Sequence, residues 1–134
     1  MPHVLIDTDI LSEILKAKRP ELSRRAEQYL SQYQQLTFSA ITLYEIERGL
    51  LAKRATRLLS QFGVIAQAFN VLIVSISVLR RAAALWSIAK LRGRPQNDAD
   101  LIIAATALEN DLALVTGNRR HFEWSDDLRL ETWD

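Results

Sequence analysis

Four polar side chains stand at the ends of apolar runs: Asp7 after VLI, Glu45 within SAITLYEIERG, Asp100 within DADLIIAATA, and Asn118 closing LALVTGN. Three carboxylates and an amide oxygen form a hard-oxygen donor set, which suits magnesium or manganese better than zinc or copper. Like charges gathered in one place raise each other's pKa, and a divalent cation is the usual way to keep several of them ionised. Such an ion acidifies a water and stabilises charge on a phosphoryl oxygen, so the set predicts a phosphodiester-cleaving site. Each residue also has a local explanation. Asp7 or Asp9 can cap the helix that begins near Ile10. Thr42-Leu-Tyr-Glu45 matches a capping box. Asp98 and Asp100 both fall where a helix dipole favours negative charge. Only convergence in the fold separates the chemical reading from these.

The elements that must position the four residues follow from the hydrophobic pattern. His3 to Ile6 is strand-like, and Ile10, Leu11, Ile14 and Leu15 then recur at helical spacing. Pro20 starts a helix carrying Leu22, Ala26, Tyr29 and Tyr33. Leu36 to Ser39 predicts a second strand, followed by a helix that Thr42 can cap, with Leu43, Ile46 and Leu50 on its apolar side. An amphipathic helix over Leu58 to Phe69 precedes a strand at Val71 to Val74. Ser77 then starts a helix with Val78, Ala82, Leu85, Trp86 and Ala89 inward, which stops near Gly93 and Pro95. Asn97 and Asp98 open a helix through Ala107, Leu112 to Val115 is a strand, and Leu128 to Thr132 is the last one. This alternation favours a mainly parallel sheet with helices on both faces and right-handed crossovers. The working edge of such a sheet is the carboxyl end of its strands. Asp7 and Asn118 follow strands directly, and Glu45 and Asp100 are expected in the first turns of helices starting at the same edge.

With 134 residues, 49% of them apolar, the chain is expected to form one domain over 1–134. It has no cysteine, which excludes disulfides and thiolate metal sites and is compatible with a reducing cytoplasm. No apolar run approaches the length of a membrane span, and no export segment is visible. The net charge is only +1, but it is segregated. From Arg48 through Asn97 there is no Asp or Glu, while Arg48, Lys53, Arg54, Arg57, Arg80, Arg81, Lys90, Arg92 and Arg94 all lie there. That distribution can draw a polyanion to one side of the molecule, or it can be a set of solvated helix faces.

The order VLIDT, SAITLYEIERG, GRP followed by DADLIIAATA, then LVTGNRRHF closely resembles the PIN-domain ribonucleases, especially the VapC-type toxins of bacterial toxin–antitoxin pairs. The resemblance runs from about His3 to LETWD. It implies an α/β fold with a parallel sheet in the order 3-2-1-4-5. It also implies Mg²⁺- or Mn²⁺-dependent endonucleolytic cleavage of RNA by metal-activated water, leaving 5′-phosphate and 3′-hydroxyl ends. Asp7, Glu45 and Asp100 then correspond to the acidic metal-binding triad, and Asn118 to a fourth acid or asparagine. The implied partners are RNA, a small antitoxin that occludes the acidic edge, and a second copy of the chain. Two positions depart from the pattern: Asp9 stands where asparagine is common, and Asp98 adds a carboxylate two residues before Asp100.

Other residues carry two readings each. Thr116 and Ser39 can serve the site or bond the backbone. His3 and His121 are expected to be structural, and Trp86, Trp124 and Trp133 to be core or interface anchors; none is placed in the site. Two other functions compete. Asp7-Thr-Asp9 also resembles the first motif of haloacid-dehalogenase-type phosphatases, but Leu11 stands where that motif has Thr or Val. A PIN-like RNA-binding module without turnover is the other alternative, and the complete acidic triad argues against it.

Overall fold

The computed structural model describes residues 1–133. Five short strands, β1 (Val4–Ile6), β2 (Thr37–Ser39), β3 (Asn70–Leu72), β4 (Ala113–Val115) and β5 (Leu130–Glu131), alternate with six helices. These are α1 (Thr8–Lys16), α2 (Pro20–Tyr33), α3 (Ala40–Ala52), α4 (Thr56–Ala68), α5 (Ile76–Leu91) and α6 (Asp98–Glu109). A 3₁₀ turn, Arg119–His121, follows β4. Every strand pair is parallel.

Strand alternation divides the core between the two faces of the sheet. Val4, Ile6, Ala113 and Val115 point to one side, into a cluster with Ile10, Leu11, Leu22, Tyr29, Phe62 and Trp133. Leu5 and Leu114 point to the other, where α5 and α6 supply Val78, Leu85, Leu101 and Ile103, and the C-terminal segment supplies Phe122 and Trp124. Among the described residues no helix is long and apolar enough to cross a membrane.

The hydrogen-bonded order is β1-β4-β5 in one ladder and β2-β3 in another, with β2 lying beside β1. The spatial order is that of a 3-2-1-4-5 sheet, but the ladder is interrupted between β2 and β1. A local cause is visible. The Asp7 amide donates to the Val115 carbonyl across β1 and β4, so alternation turns the Val4 amide to the opposite edge of β1. There it donates to the Tyr29 hydroxyl at 3.1 Å, which takes the place of a strand partner.

Helix starts depart from the sequence pattern at two positions. Ser39, not Thr42, caps α3, accepting from the Ile41 amide at 3.2 Å. Thr42 is buried inside the helix, so the capping-box reading of Thr42 and Glu45 fails and Glu45 sits in the second turn rather than the first. Likewise Ser75 caps α5 through the Val78 amide, and Ser77 lies within the helix, bonded to Glu109. Serine fits either position by propensity, and only the start of the turn decides. The third strand is also displaced, to 70–72 rather than 71–74. Trp86, expected inward, is 44% exposed, because Val78, Ala82, Leu85 and Ala89 complete the inward face and position 86 lies about 100° from position 85. Gly93, at φ +68°, takes the left-handed conformation that ends the α5 turn.

Candidate active site

The β1–β4 register places Ile6 opposite Val115, so the next residues of both strands, Asp7 and Thr116, emerge side by side at the carboxyl edge. Thr116 donates from Oγ1 to Asp7 Oδ2 at 2.7 Å and accepts from the Asn118 amide at 3.0 Å. The backbone-bonding reading of this threonine therefore holds, and its hydroxyl also touches the Asp7 carboxyl. The other Asp7 oxygen accepts from the Thr8 amide at 2.8 Å. Asp7 is 4% exposed. Its pKa is pushed up to about 8, first by burial and then by the neighbouring Asp9 carboxylate, against the lowering effect of the Thr116 and Thr8 hydrogen bonds.

Glu45 reaches the same edge from α3. Thr8 donates to Glu45 Oε1 at 2.7 Å and lies 2.9 Å from the Thr42 hydroxyl, so the first turn of α1 is tied to α3 by two side-chain contacts. Asp100 comes from the first turn of α6. Asn97 caps that helix through the Asp100 amide at 2.8 Å and also donates from Nδ2 to Asp100 Oδ2 at 3.0 Å. His121 Nδ1 stands 3.2 Å from the same oxygen. Burial raises the Asp100 pKa, and His121 and Asn97 oppose that rise.

Asp7, Glu45, Asp100 and Asn118 all border one open cavity of about 380 Å³. Asp9 borders it too, with Oδ2 at 3.5 Å from Asn118 Nδ2. A Cβ on Gly117 would stand 2.9 Å from that Asp9 oxygen, so the glycine leaves the carboxylate its room. Asp98 is separate: it borders a different, apolar groove beside Leu79 and Trp86. Ser39 is engaged in capping α3, and His3 packs at a tilt against Tyr33 with ring centroids 4.1 Å apart. Trp124 and Trp133 are core residues.

His121 is the residue that the pattern of types left out of the site. Its contact with Asp100 and its place on the cavity wall bring it in. The available signal was its position three residues after Asn118, one tight turn away. Thr8 was also missed, and its role depends on a contact 37 residues along the chain.

The donor set fits a hard divalent cation. Asp7 is a buried carboxyl with a second carboxylate beside it and hydroxyl and amide donors, but no cation, among its partners. Among the described residues no three acidic or histidine side chains are already closed around a single point. Asp7 faces Thr116, Glu45 faces Thr8, and Asp100 faces Asn97 and His121.

The PIN-domain family model matches residues 4–125. The chain belongs to the PIN-domain family. Ribonuclease VapC1 of Methanocaldococcus jannaschii is 28% identical over 132 residues, covering 98% of this chain and 87% of the relative. The DNA-bound VapBC of Salmonella typhimurium contains a chain matching with TM-score 0.87 at 24% identity, with all of both chains covered. VapBC-1 of nontypeable Haemophilus influenzae matches with TM-score 0.78 at 26% identity over 97% of each chain. In this PIN domain the four polar residues thus share the carboxyl edge of the sheet, beside the first turns of α1 and α6.

Proposed function

We propose that this chain is a metal-dependent endoribonuclease acting as the toxin of a toxin–antitoxin pair, with 1–134 working as one PIN unit. The observation that carries the proposal is the meeting of Asp7, Glu45, Asp100 and Asn118 on one cavity at the strand edge of a PIN fold. The relatives named as ribonucleases give the substrate class. Asp7, Glu45 and Asp100 would hold Mg²⁺ or Mn²⁺, with the Asn118 amide oxygen as a neutral fourth donor. Bound there, the ion supplies an acidified water and charge neutralisation at the phosphoryl oxygens.

The chain's own contribution is orientation. Thr116 holds one Asp7 oxygen, Thr8 holds Glu45, and Asn97 with His121 holds Asp100, so each of the three proposed carboxylate ligands carries a hydrogen-bonded support. Such supports set the direction and basicity of a ligand. The phosphatase alternative needs Asp7 as a free nucleophile, whereas both Asp7 oxygens accept hydrogen bonds, from Thr8 and Thr116. Nothing in the geometry favours that reading.

A similar structure from Klebsiella pneumoniae is a toxin–antitoxin complex, and we assign this chain a small antitoxin that covers the acidic edge. We assign it also a second copy of itself, and the cytoplasm as its place of action. The deciding experiment incubates the protein with total RNA with and without chelator, maps new 5′ ends, and repeats with Asp7→Asn. New ends that need both metal and Asp7 support the nuclease. Ends that persist in the Asp7 variant sink it. Expression of the active chain alone should arrest growth, and co-expression of the small protein encoded beside it should restore growth.

A further inference from the structure

We infer that the groove between α1 and α3 is a second, phosphate-binding subsite that holds single-stranded RNA a few nucleotides from the cut, with Lys16 and Lys53 as its cations. This rests on the nuclease reading. The cavity that contains the carboxylates does not end with them: its wall continues along Thr8, Ser12 and Lys16 of α1, and along Glu45 and Gly49 of α3 to Lys53. These positions recur at four-residue spacing, so each set is one helix stripe. The two helices are tied at the acidic end by Thr8, Thr42 and Glu45. Eight residues separate Thr8 from Lys16 and Glu45 from Lys53, about 12 Å of helix in each case.

Both stripes therefore run from an anionic end to a cationic end over the same length. Lys53 follows the last turn of α3 and has neither an ion pair nor a side-chain hydrogen bond among the described residues. Lys16 makes only a surface pair with Glu13 at 3.6 Å, a contact that competes weakly with a phosphate. Between the ends, a Cβ on Gly49 would meet nothing within 4 Å, so the groove is open there. At about 3.4 Å per stacked nucleotide, 12 Å corresponds to between three and four nucleotides, fewer if the strand is extended. A strand whose scissile phosphate lies at the carboxylates would thus present a later phosphate to the lysines. The polarity favours a polyanion entering along the groove. An antitoxin segment with an acidic end at the lysines is the competing occupant, and the test separates the two.

The test uses the full chain carrying Lys16→Gln with Lys53→Gln, and separately Gly49→Leu, which fills the groove without adding or removing charge. Binding of a single-stranded RNA of about ten nucleotides is measured by anisotropy in an Asp7→Asn background at several salt concentrations. The lysine pair should weaken binding about tenfold and flatten the log–log salt slope by about 1.4, since each single-strand phosphate contact contributes about 0.7. Gly49→Leu should weaken binding with the slope contribution of the lysines also lost, while the melting temperature holds. Hydrolysis of bis(p-nitrophenyl) phosphate, which has no second phosphate, should be unchanged by the lysine pair in the Asp7 chain. An unaltered salt slope overturns the subsite. So does an equal loss on the small substrate, or intact RNA binding in the lysine pair, which would leave the groove to an antitoxin segment. Cleavage surviving Asp7→Asn would instead overturn the nuclease reading, and the binding slopes would still report on the groove.

Discussion

Asp7 carries the heaviest electrostatic load of any single residue, because its carboxyl is buried beside a second one. Its pKa rises from 3.8 to about 8 on folding, so between those values the folded chain keeps a proton that the unfolded chain has released. Stability of the metal-free protein therefore falls as pH rises through that window and levels off above it. Asp7→Asn, which is neutral at every pH and can keep an oxygen acceptor for Thr116, is expected to melt higher than the parent at pH 8 without metal. The gap should narrow toward pH 5. The same variant should lose about 100-fold or more of RNA cleavage, as loss of a charged ligand weakens stabilisation worth several kcal/mol. A parent and variant with the same melting curve at pH 8 would show that Asp7 is not held near-neutral by its surroundings. His121 acts through Asp100. His121→Ala should weaken Mn²⁺ binding about tenfold, the low end of what an outer support costs a metal site, with His121→Asn restoring part of it through its amide donor. Calorimetric titration of Mn²⁺ into the chain with Asp7 intact reads this directly, and unchanged affinity in the alanine variant would make the 3.2 Å contact with Asp100 incidental.

At the scale of elements, the helix starts decide where the ligands stand. Ser39→Ala removes the α3 cap and should cost about 1 kcal/mol, measured by urea denaturation. Thr42→Ala, under a capping-box reading, would also free the helix end. Here it instead removes a buried hydroxyl that touches Thr8, so its effect should appear in metal affinity through Glu45 as well as in stability. Equal stability loss with no change in metal binding would count against that link. These two residues also show how far the sequence pattern reaches. Strand ends were readable because VLID and LALVT carry continuous apolar runs stopped by polar residues, and register then forces Asp7 and Thr116 together. Asp100 was separable from Asp98 by its place before LIIAA, and the structure puts Asp98 on another groove. Glu45 was placed in the right helix but one turn too early, since Ser39 and Thr42 are both cap-forming types. The interruption between β1 and β2 was invisible, as it depends on a tyrosine hydroxyl 25 residues away in sequence. His121 was invisible for a similar reason: a lone histidine after an arginine pair has no periodic signature, and only the 3₁₀ turn brings it to Asp100.

Across the whole molecule, part of the acid-free stretch is engaged in structural contacts. Arg81 pairs with Glu109, and Arg92 reaches Asp126 and the Trp124 carbonyl, where it holds the C-terminal segment. Lys90 lies over the exposed Trp86 ring at 4.9 Å. Of the cations expected to attract RNA, Lys53 borders the cavity, while Arg92 is committed to structure. What the same stretch does display is apolar surface. Ile76, Leu79 and Trp86 are each at least 44% exposed on α5, beside an apolar groove shared with Ile102 of α6. Large exposed apolar groups gathered on one helix face mark an association surface more often than chance exposure does. A face of this kind can pair with its own copy about a two-fold axis, each α5 packing on the other. The groove shares no residue with the cavity that holds Asp7, so association and catalysis are separable. Leu79→Glu combined with Trp86→Glu should therefore convert a dimer to a monomer in light scattering while leaving the circular dichroism spectrum and the metal-dependent cleavage of short RNA in place. A variant that stays dimeric would move the interface elsewhere, and a parent that is monomeric at high concentration would assign the α5 face to a partner other than a second copy.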